Sequence, residues 1–102
     1  MTVRVTLTFK RPNTSVSWHE PLKDSDTLKN YWQTNFVDTG KITSFNITDS
    51  EDNLTRTMVT DFSNESAMQS YRKDDTIKSM MNDRDVYNIF NSISFEMISE
   101  DV

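Results

Sequence analysis

The sequence predicts an α+β fold with four strands and two helices in the order β-α-β-β-α-β. Three observations carry that prediction. Val3, Val5, Leu7 and Phe9 alternate with Thr2, Arg4, Thr6, Thr8 and Lys10, the period of a strand with one buried face. Leu28, Trp32 and Phe36 recur every four residues, the period of a helix with one buried face. Between and after two such helical stretches lie three further alternating runs, the first two joined by a short polar turn.

The first strand ends at Arg11-Pro12-Asn13. A long connection, residues 11–24, follows and contains Val16, Trp18, His19, Glu20 and Pro21; a short extended piece can form at Ser15–Trp18. Asp24, Ser25 and Asp26 then offer capping oxygens and negative charge at a helix start. The first helix is predicted over about residues 26–38, with Tyr31 and Asn35 beside its stripe and Gly40 just past its end. Phe45 and Ile47 alternate with Ser44 and Asn46 in a second strand. Asp49 to Asn53 is a polar turn, and Leu54 to Phe62 is a third strand, so the pair reads as a hairpin.

Ser63 or Asn64 caps a second helix whose stripe is Ala67, Met68 and Tyr71. Asp74-Asp75 ends or bends it. Ile77, Met80 and Met81 continue it or open a separate turn, and residues 85–91 fit either a short helix or an irregular segment. Ile93, Phe95 and Met97 alternate with Ser94 and Glu96 in a fourth strand, and the polar tail Ser99–Val102 is expected to fray. The order is the split βαβ arrangement of the ferredoxin-like fold: a four-stranded antiparallel sheet with two helices on one face. The other face is predicted to hold Arg4, Thr6, Thr8, Ser44, Asn46, Thr55, Thr57, Ser94 and Glu96.

Composition narrows the function. The 102 residues fit one domain, expected over 1–102. With no cysteine the chain has no disulfide, thiolate nucleophile or cysteine metal site. A cytoplasmic setting suits that count. Net charge −5, with Asp more frequent than Glu, argues against a general grip on nucleic acid or anionic membrane. No apolar run exceeds two residues, so neither a secretory signal nor a membrane span is expected. The Asn-x-Ser/Thr triplets at Asn13, Asn46, Asn53 and Asn64 follow from the high content of those residue types. One glycine cannot build a phosphate loop, no metal-ligand spacing is present, and no cofactor is expected.

The element order, together with Phe62-Ser63-Asn64-Glu65-Ser66-Ala67-Met68-Gln69-Ser70-Tyr71 after the hairpin, resembles the dimeric α+β barrel superfamily and its antibiotic-biosynthesis monooxygenase-like members. In that group an aromatic residue ends the third strand, a small polar cap and an acid follow, and the helix carries an aromatic or His about nine positions on. The resemblance implies a homodimer built through the sheets and a pocket between helices and sheet. Members include cofactor-free oxygenases, isomerases, haem-degrading enzymes and proteins without known activity. The haem-degrading type carries an Asn, Trp and His set. The one His here is His19, in the first connection rather than on the second helix, so haem degradation is not expected.

The candidate site residues are few. Trp18, His19 and Glu20 form the sharpest local cluster: a His near neutral pKa serves as acid, base or ligand partner, and equally as a hinge residue beside an anchoring Trp. His19 and Tyr71 are the candidate catalytic residues. Trp18, His19, Tyr31, Trp32, Tyr71 and Tyr87 are the candidate ligand-binding residues, since pockets for aromatic ligands use such side chains. Trp32 and Phe36 also lie on the stripe that any first helix must bury. Arg56, Arg72 and Arg84 can hold a carboxylate or pair with the abundant Asp residues. The methionines read as core filler.

These residues point to a small dimeric protein that takes a small apolar or aromatic ligand between helices and sheet. Two alternatives stay open: a cofactor-independent monooxygenase- or isomerase-like enzyme, and a non-catalytic protein-interaction domain. Nucleic-acid binding through the sheet is disfavoured, because the open face carries Thr, Ser and Asn rather than stacking aromatics.

Overall fold

The computed structural model describes residues 1–102. Four strands, β1 (Val3–Lys10), β2 (Ile42–Asp49), β3 (Thr55–Phe62) and β4 (Ser94–Asp101), form one antiparallel sheet in the order β2-β3-β1-β4. Four α-helical segments, α1 (Pro21–Asp24), α2 (Asp26–Trp32), α3 (Glu65–Lys73) and α4 (Asp75–Phe90), accompany it. The architecture is ferredoxin-like, with the helices on one side of the sheet.

β1 is hydrogen-bonded on both edges, so its alternation dictates the faces of its neighbours. Val5 pairs with Thr60 and Ser99, and Leu7 with Met58 and Met97; these residues face the helices. Thr6 pairs with Val59 and Ile98, and Arg4 with Asp61 and Glu100; these face away. The outward face therefore holds the expected Thr, Ser and Asn residues, with Val59 and Ile98 added near its middle. Arg4 and Asp61 form a two-pronged ion pair there, at 2.8 and 3.0 Å.

The core forms where the helices meet the β1, β2 and β3 side of the sheet. Val3, Val5, Trp32, Phe36, Ile42, Phe62, Met68 and Ile77 are its main residues. Phe36 meets the Tyr71 ring edge-on at 4.9 Å, and Trp32 meets Phe45 at 5.2 Å.

The helices differ in detail from the expected pair. Residues 11–20 contain no strand, and Pro21 opens the single helical turn α1 within the connection, where its fixed φ suits a first helical position. Ser25 caps α2 by accepting from the Leu28 N–H. The expected helix to residue 38 is α-helical only to Trp32; Gln33–Val37 is a π turn, with the Asp38 N–H bonded to the Gln33 carbonyl at 2.8 Å. Trp32 and Phe36 are buried in this arrangement, so the four-residue spacing alone did not separate it from a regular helix. Gly40 closes the segment at φ +78°, a conformation L side chains rarely adopt.

Beyond Asn64, which caps α3 through the Ala67 N–H, the chain bends at Asp74. That residue is extended at φ −66° and ψ 129°, and its carboxylate accepts from the Ile77 N–H at 3.0 Å to start α4. Residues 85–90 are helical and belong to α4 rather than to an irregular segment. The tail does not fray: Ser99–Asp101 complete β4 opposite Val3–Val5, and the Val102 N–H reaches the Thr2 carbonyl. Main-chain pairing with β1 orders this stretch despite its polar side chains.

Asp74 also accepts the Tyr31 hydroxyl at 2.6 Å, tying α2 to the α3–α4 junction. Asp74→Ala removes a helix cap and this bond together, and is expected to cost about 1–2 kcal/mol in urea unfolding. Tyr31→Phe removes the second bond alone and is expected to lower the urea midpoint by less than Asp74→Ala does.

Candidate functional site

The connection from β1 to α2 lies over the end of the sheet where Phe9 pairs with Arg56, and two arginines hold it there. The Arg11 guanidinium donates to the carbonyls of Asn53 and Val16, at 2.7 and 2.8 Å, and sits 4.4 Å from the Trp18 ring centre. Arg56 sits 5.2 Å from the same ring. Its guanidinium also meets Glu20 at 3.3 Å and grips Asp49 at 2.8 and 3.0 Å. These partners raise the Arg56 pKa and lower that of Asp49, chiefly through their shared hydrogen bonds. At the far side, the Tyr87 hydroxyl donates to the Ser17 carbonyl at 2.5 Å, and its ring lies 5.3 Å from that of His19.

Between this strap, the helices and the sheet is a cavity of about 190 Å³. Its sheet wall includes Val5, Leu7, Phe45, Ile47, Met58 and Met97. Trp18, His19, Pro21 and Leu22 supply the strap side, and Tyr71, Met80, Met81, Arg84 and Asn88 the helix side. The cavity is predominantly apolar, and most of its polar groups are already matched. Arg56 has its two carboxylates, and Arg84 meets Asp85 at 3.1 Å. Arg72 stands against Met97 Sδ at 3.6 Å on the exposed side.

Two residues of the lining each carry one buried side-chain atom without a hydrogen-bond partner, His19 Nε2 and Asn88 Nδ2; both atoms are turned away from the open space of the cavity. The Asn88 residue is only 2 % exposed. Burial pushes the His19 imidazole below its ordinary pKa; Arg84 pushes the same way, while Asp83 and Asp24 oppose it. At neutral pH the imidazole is therefore neutral, and can accept or donate a hydrogen bond or take a proton. Burial pushes the Tyr71 hydroxyl up to about 12, against a smaller opposing effect of Trp32, so Tyr71 acts as a hydroxyl and not as a phenolate.

Of the candidate residues, Trp18, His19 and Tyr71 line the cavity, as do Arg56, Arg72 and Arg84. Tyr31, Trp32 and Tyr87 lie outside its lining. Tyr31 bonds to Asp74, Trp32 is packed in the core on Phe45, and Tyr87 backs His19 from behind and bonds to Ser17. Sequence reasoning missed Asn88. Its signal lies in helical spacing: Ile77, Met80, Met81, Arg84 and Asn88 fall on one face once the helix runs through residue 90. The same extension places Val86, Ile89 and Phe90 in solvent.

No family model matches the chain, and no curated protein matches it in sequence. Solved structures do match in fold. One is a conserved protein of unknown function from Bacteroides thetaiotaomicron, described as a possible oxidoreductase. It has TM-score 0.66 and 5 % identity, over 99 % of this chain and 97 % of that one. Another is SnoaB, a cofactor-independent oxygenase from Streptomyces nogalater, with TM-score 0.65 and 6 % identity over 99 % and 92 % of the two chains. A dimeric ferredoxin-like protein from an uncultured marine organism matches with TM-score 0.63 and 7 % identity, over 99 % and 94 %. At these identities the likeness is one of fold. No helix is long and apolar enough to cross a membrane.

His19 is the one histidine, so acid stability offers a direct check. Its folded pKa lies below its ordinary value of 6.5, so the unfolded chain binds more protons in that window. Its contribution is fully present above about pH 6.5 and is lost as pH falls toward the folded pKa. Asp49, Asp52 and Asp61, also lowered, lose theirs only below their ordinary value of 3.8. The urea midpoint should fall between pH 7 and pH 5 in the wild type and stay nearly level in His19→Phe; parallel slopes would refute the assignment.

Proposed function

We propose that the chain is a one-domain, small-molecule-binding protein that works as a homodimer, with its ligand between the helices and the sheet. The cavity carries this reading. A concave, mostly apolar space of about 190 Å³, partly open to solvent, remains among large side chains, the usual form of a small-molecule site. An engineered apolar cavity of about 150 Å³ takes up benzene, so the volume suits a compact ligand. Trp18, His19 and Tyr71 are the sequence-expected residues proposed to contact it. Arg11 and Arg56, through Trp18 and Glu20, keep the strap in place without a ligand, and that preorganisation lowers the cost of binding.

The homodimer rests on separate features. Only 12 of 102 residues are buried, a small core for a chain of this length, and an association would add to it. β4 is an edge strand of eight residues, every one of them exposed, and carries Phe95, Met97 and Ile98. A long apolar edge of this kind is normally covered. The outward sheet face, with Thr6 between Val59 and Ile98, carries β-branched side chains suited to pack on a second copy. One fold relative is itself described as dimeric.

Toluene, as an apolar ligand small enough for the cavity, is expected to raise the melting temperature and to shift methyl NMR signals of Met58, Met80 and Met97. A flat response to toluene across its soluble range would remove the pocket reading. Light scattering after gel filtration is expected to give twice the chain mass, and Ile98→Glu to return it to one chain. A wild type that stays monomeric would remove the dimer and leave the pocket untouched.

A further inference from the structure

The cavity inverts the charge of the chain around it. The chain carries 16 acidic and 11 basic residues, for a net charge of −5. The cavity lining holds four of the basic residues, Lys23, Arg56, Arg72 and Arg84, and one acid, Glu20. We infer that the ligand is an organic anion, an apolar body bearing one carboxylate, and that Arg72 receives the carboxylate. This inference rests on the pocket reading above and specifies its ligand class.

Three of the four lining cations are already matched. Arg56 meets Asp49 and Glu20, Lys23 lies 3.8 Å from Glu20, and Arg84 meets Asp85 at 3.1 Å. Arg72 enters none of the chain's ion pairs. Its Nη2 reaches Met97 Sδ at 3.6 Å, and a thioether is a weak acceptor. In a chain with more acids than bases, a half-buried arginine left without a carboxylate calls for a reason.

The fold itself keeps acids from this guanidinium. One turn back on α3 its neighbours are Met68 and Gln69, and Gln69 is bonded to Glu65. Asp74, the nearest acid along the chain, is taken up by the Tyr31 hydroxyl and the Ile77 N–H. On β4, register puts Phe95, Met97 and Ser99 on the helix side and turns Glu96 and Glu100 to the opposite face, with Glu100 across from Arg4. Asp101 returns to the helix side four residues from Met97, about 13 Å along the strand.

Arg72 is also placed where a ligand can reach it. It lines the cavity, and Met97, which it touches, lines it too and is 52 % exposed. The guanidinium therefore stands at the rim. A charged end bound there keeps contact with water and escapes the cost of burying an ion, while the apolar body lies inward against Leu7, Met58, Met80 and Met81. The forked donors of a guanidinium match the two oxygens of a carboxylate. The charge of Arg84 extends the field inward: behind the larger effect of burial, it pushes the pKa of both Tyr71 and His19 down. A cationic ligand finds no free carboxylate on the lining, because Glu20 is held by Arg56 and Lys23.

The experiment sets para-toluate against para-toluamide, para-methylbenzylammonium and toluene in NMR titrations of the full chain. At low ionic strength para-toluate is expected to bind at least about fivefold tighter than para-toluamide, its neutral counterpart, as one charge-assisted but partly exposed contact would give. Added salt should narrow that gap. Arg72→Met should remove the preference and keep toluene binding; should that variant not fold, Arg72→Gln tests the same loss. Arg72→Lys, which keeps the charge without the fork, should retain part of the preference. Equal affinities for para-toluate and para-toluamide would overturn the inference and leave the pocket standing. A preference that survives in Arg72→Met or Arg72→Gln would overturn the assignment to Arg72, and a concurrent shift to monomer in gel filtration would give its guanidinium to an acid of the second copy instead. Tightest binding of para-methylbenzylammonium would overturn the sign of the ligand's charge. Failure of all these probes would overturn the pocket and this inference together.

Discussion

The alternation of β1 constrains everything else in the fold. It is the one strand with Val, Val, Leu and Phe in unbroken period and with partners along its full length on both sides. A shift of one residue in either pairing would turn Met58, Phe62 and Met97 to the open face and bring Val59, Asp61 and Ile98 under the helices. The Arg4–Asp61 pair would also be lost with such a slip. Register is thus specified twice, by apolar burial on one face and by a charge-assisted pair on the other.

The cavity is a consequence of how this sheet is covered. α2 and the π turn bring Trp32 and Phe36 onto the core, and the break at Asp74 lets α3 and α4 take different directions across it. The Phe9–Arg56 end of the sheet is left to the strap of residues 11–25. A strap with little regular structure needs other anchors, and here they are charged. Arg56 occupies a position on the helix-facing side where an apolar residue would be expected. Its guanidinium binds Asp49 and Glu20 and approaches Trp18, so one side chain joins β2, β3 and the strap. Arg56 is partly buried, and its two-pronged bond to Asp49 with a second carboxylate beside it gives a fixed geometry that an isolated surface pair lacks.

The four strands, the caps at Ser25 and Asn64 and the stop at Gly40 were legible because each depends on neighbours within a few residues. The interactions that make the cavity were not. Arg56 and Glu20 are far apart in sequence, and nothing local distinguishes Arg56 from any surface arginine on a strand. Residues 85–90 resisted assignment for a different reason. Their apolar residues, Val86, Ile89 and Phe90, point to solvent, while the polar Asn88 is buried. A reading that sends apolar residues inward assigns this turn the wrong face. The polar end of β4 was misread as fraying because its order comes from main-chain bonds to β1, which side-chain patterning does not report. Among the site residues, His19 and Trp18 stood out by residue type, whereas Tyr87 was recognised without its role: it backs the imidazole from outside the cavity.

Local rules that fail together in one place usually mark function rather than poor packing. In this chain the failures converge. The unfilled volume, the buried amide, the desolvated imidazole and the arginine on the apolar sheet face all surround one cavity. The first three lower stability by themselves, and each of those could be removed by a common substitution: a larger side chain for Met58, Leu for Asn88, Phe for His19. Their joint presence is hard to attribute to chance in a domain with so small a core, where one or two kcal/mol is a large part of the whole stability. The clamp formed by Arg11, Arg56 and Tyr87 fits the same view. It fixes Trp18 and the imidazole of His19 over the Phe9–Arg56 end of the sheet, so the strap that closes the cavity is held by charged and aromatic contacts rather than by regular structure.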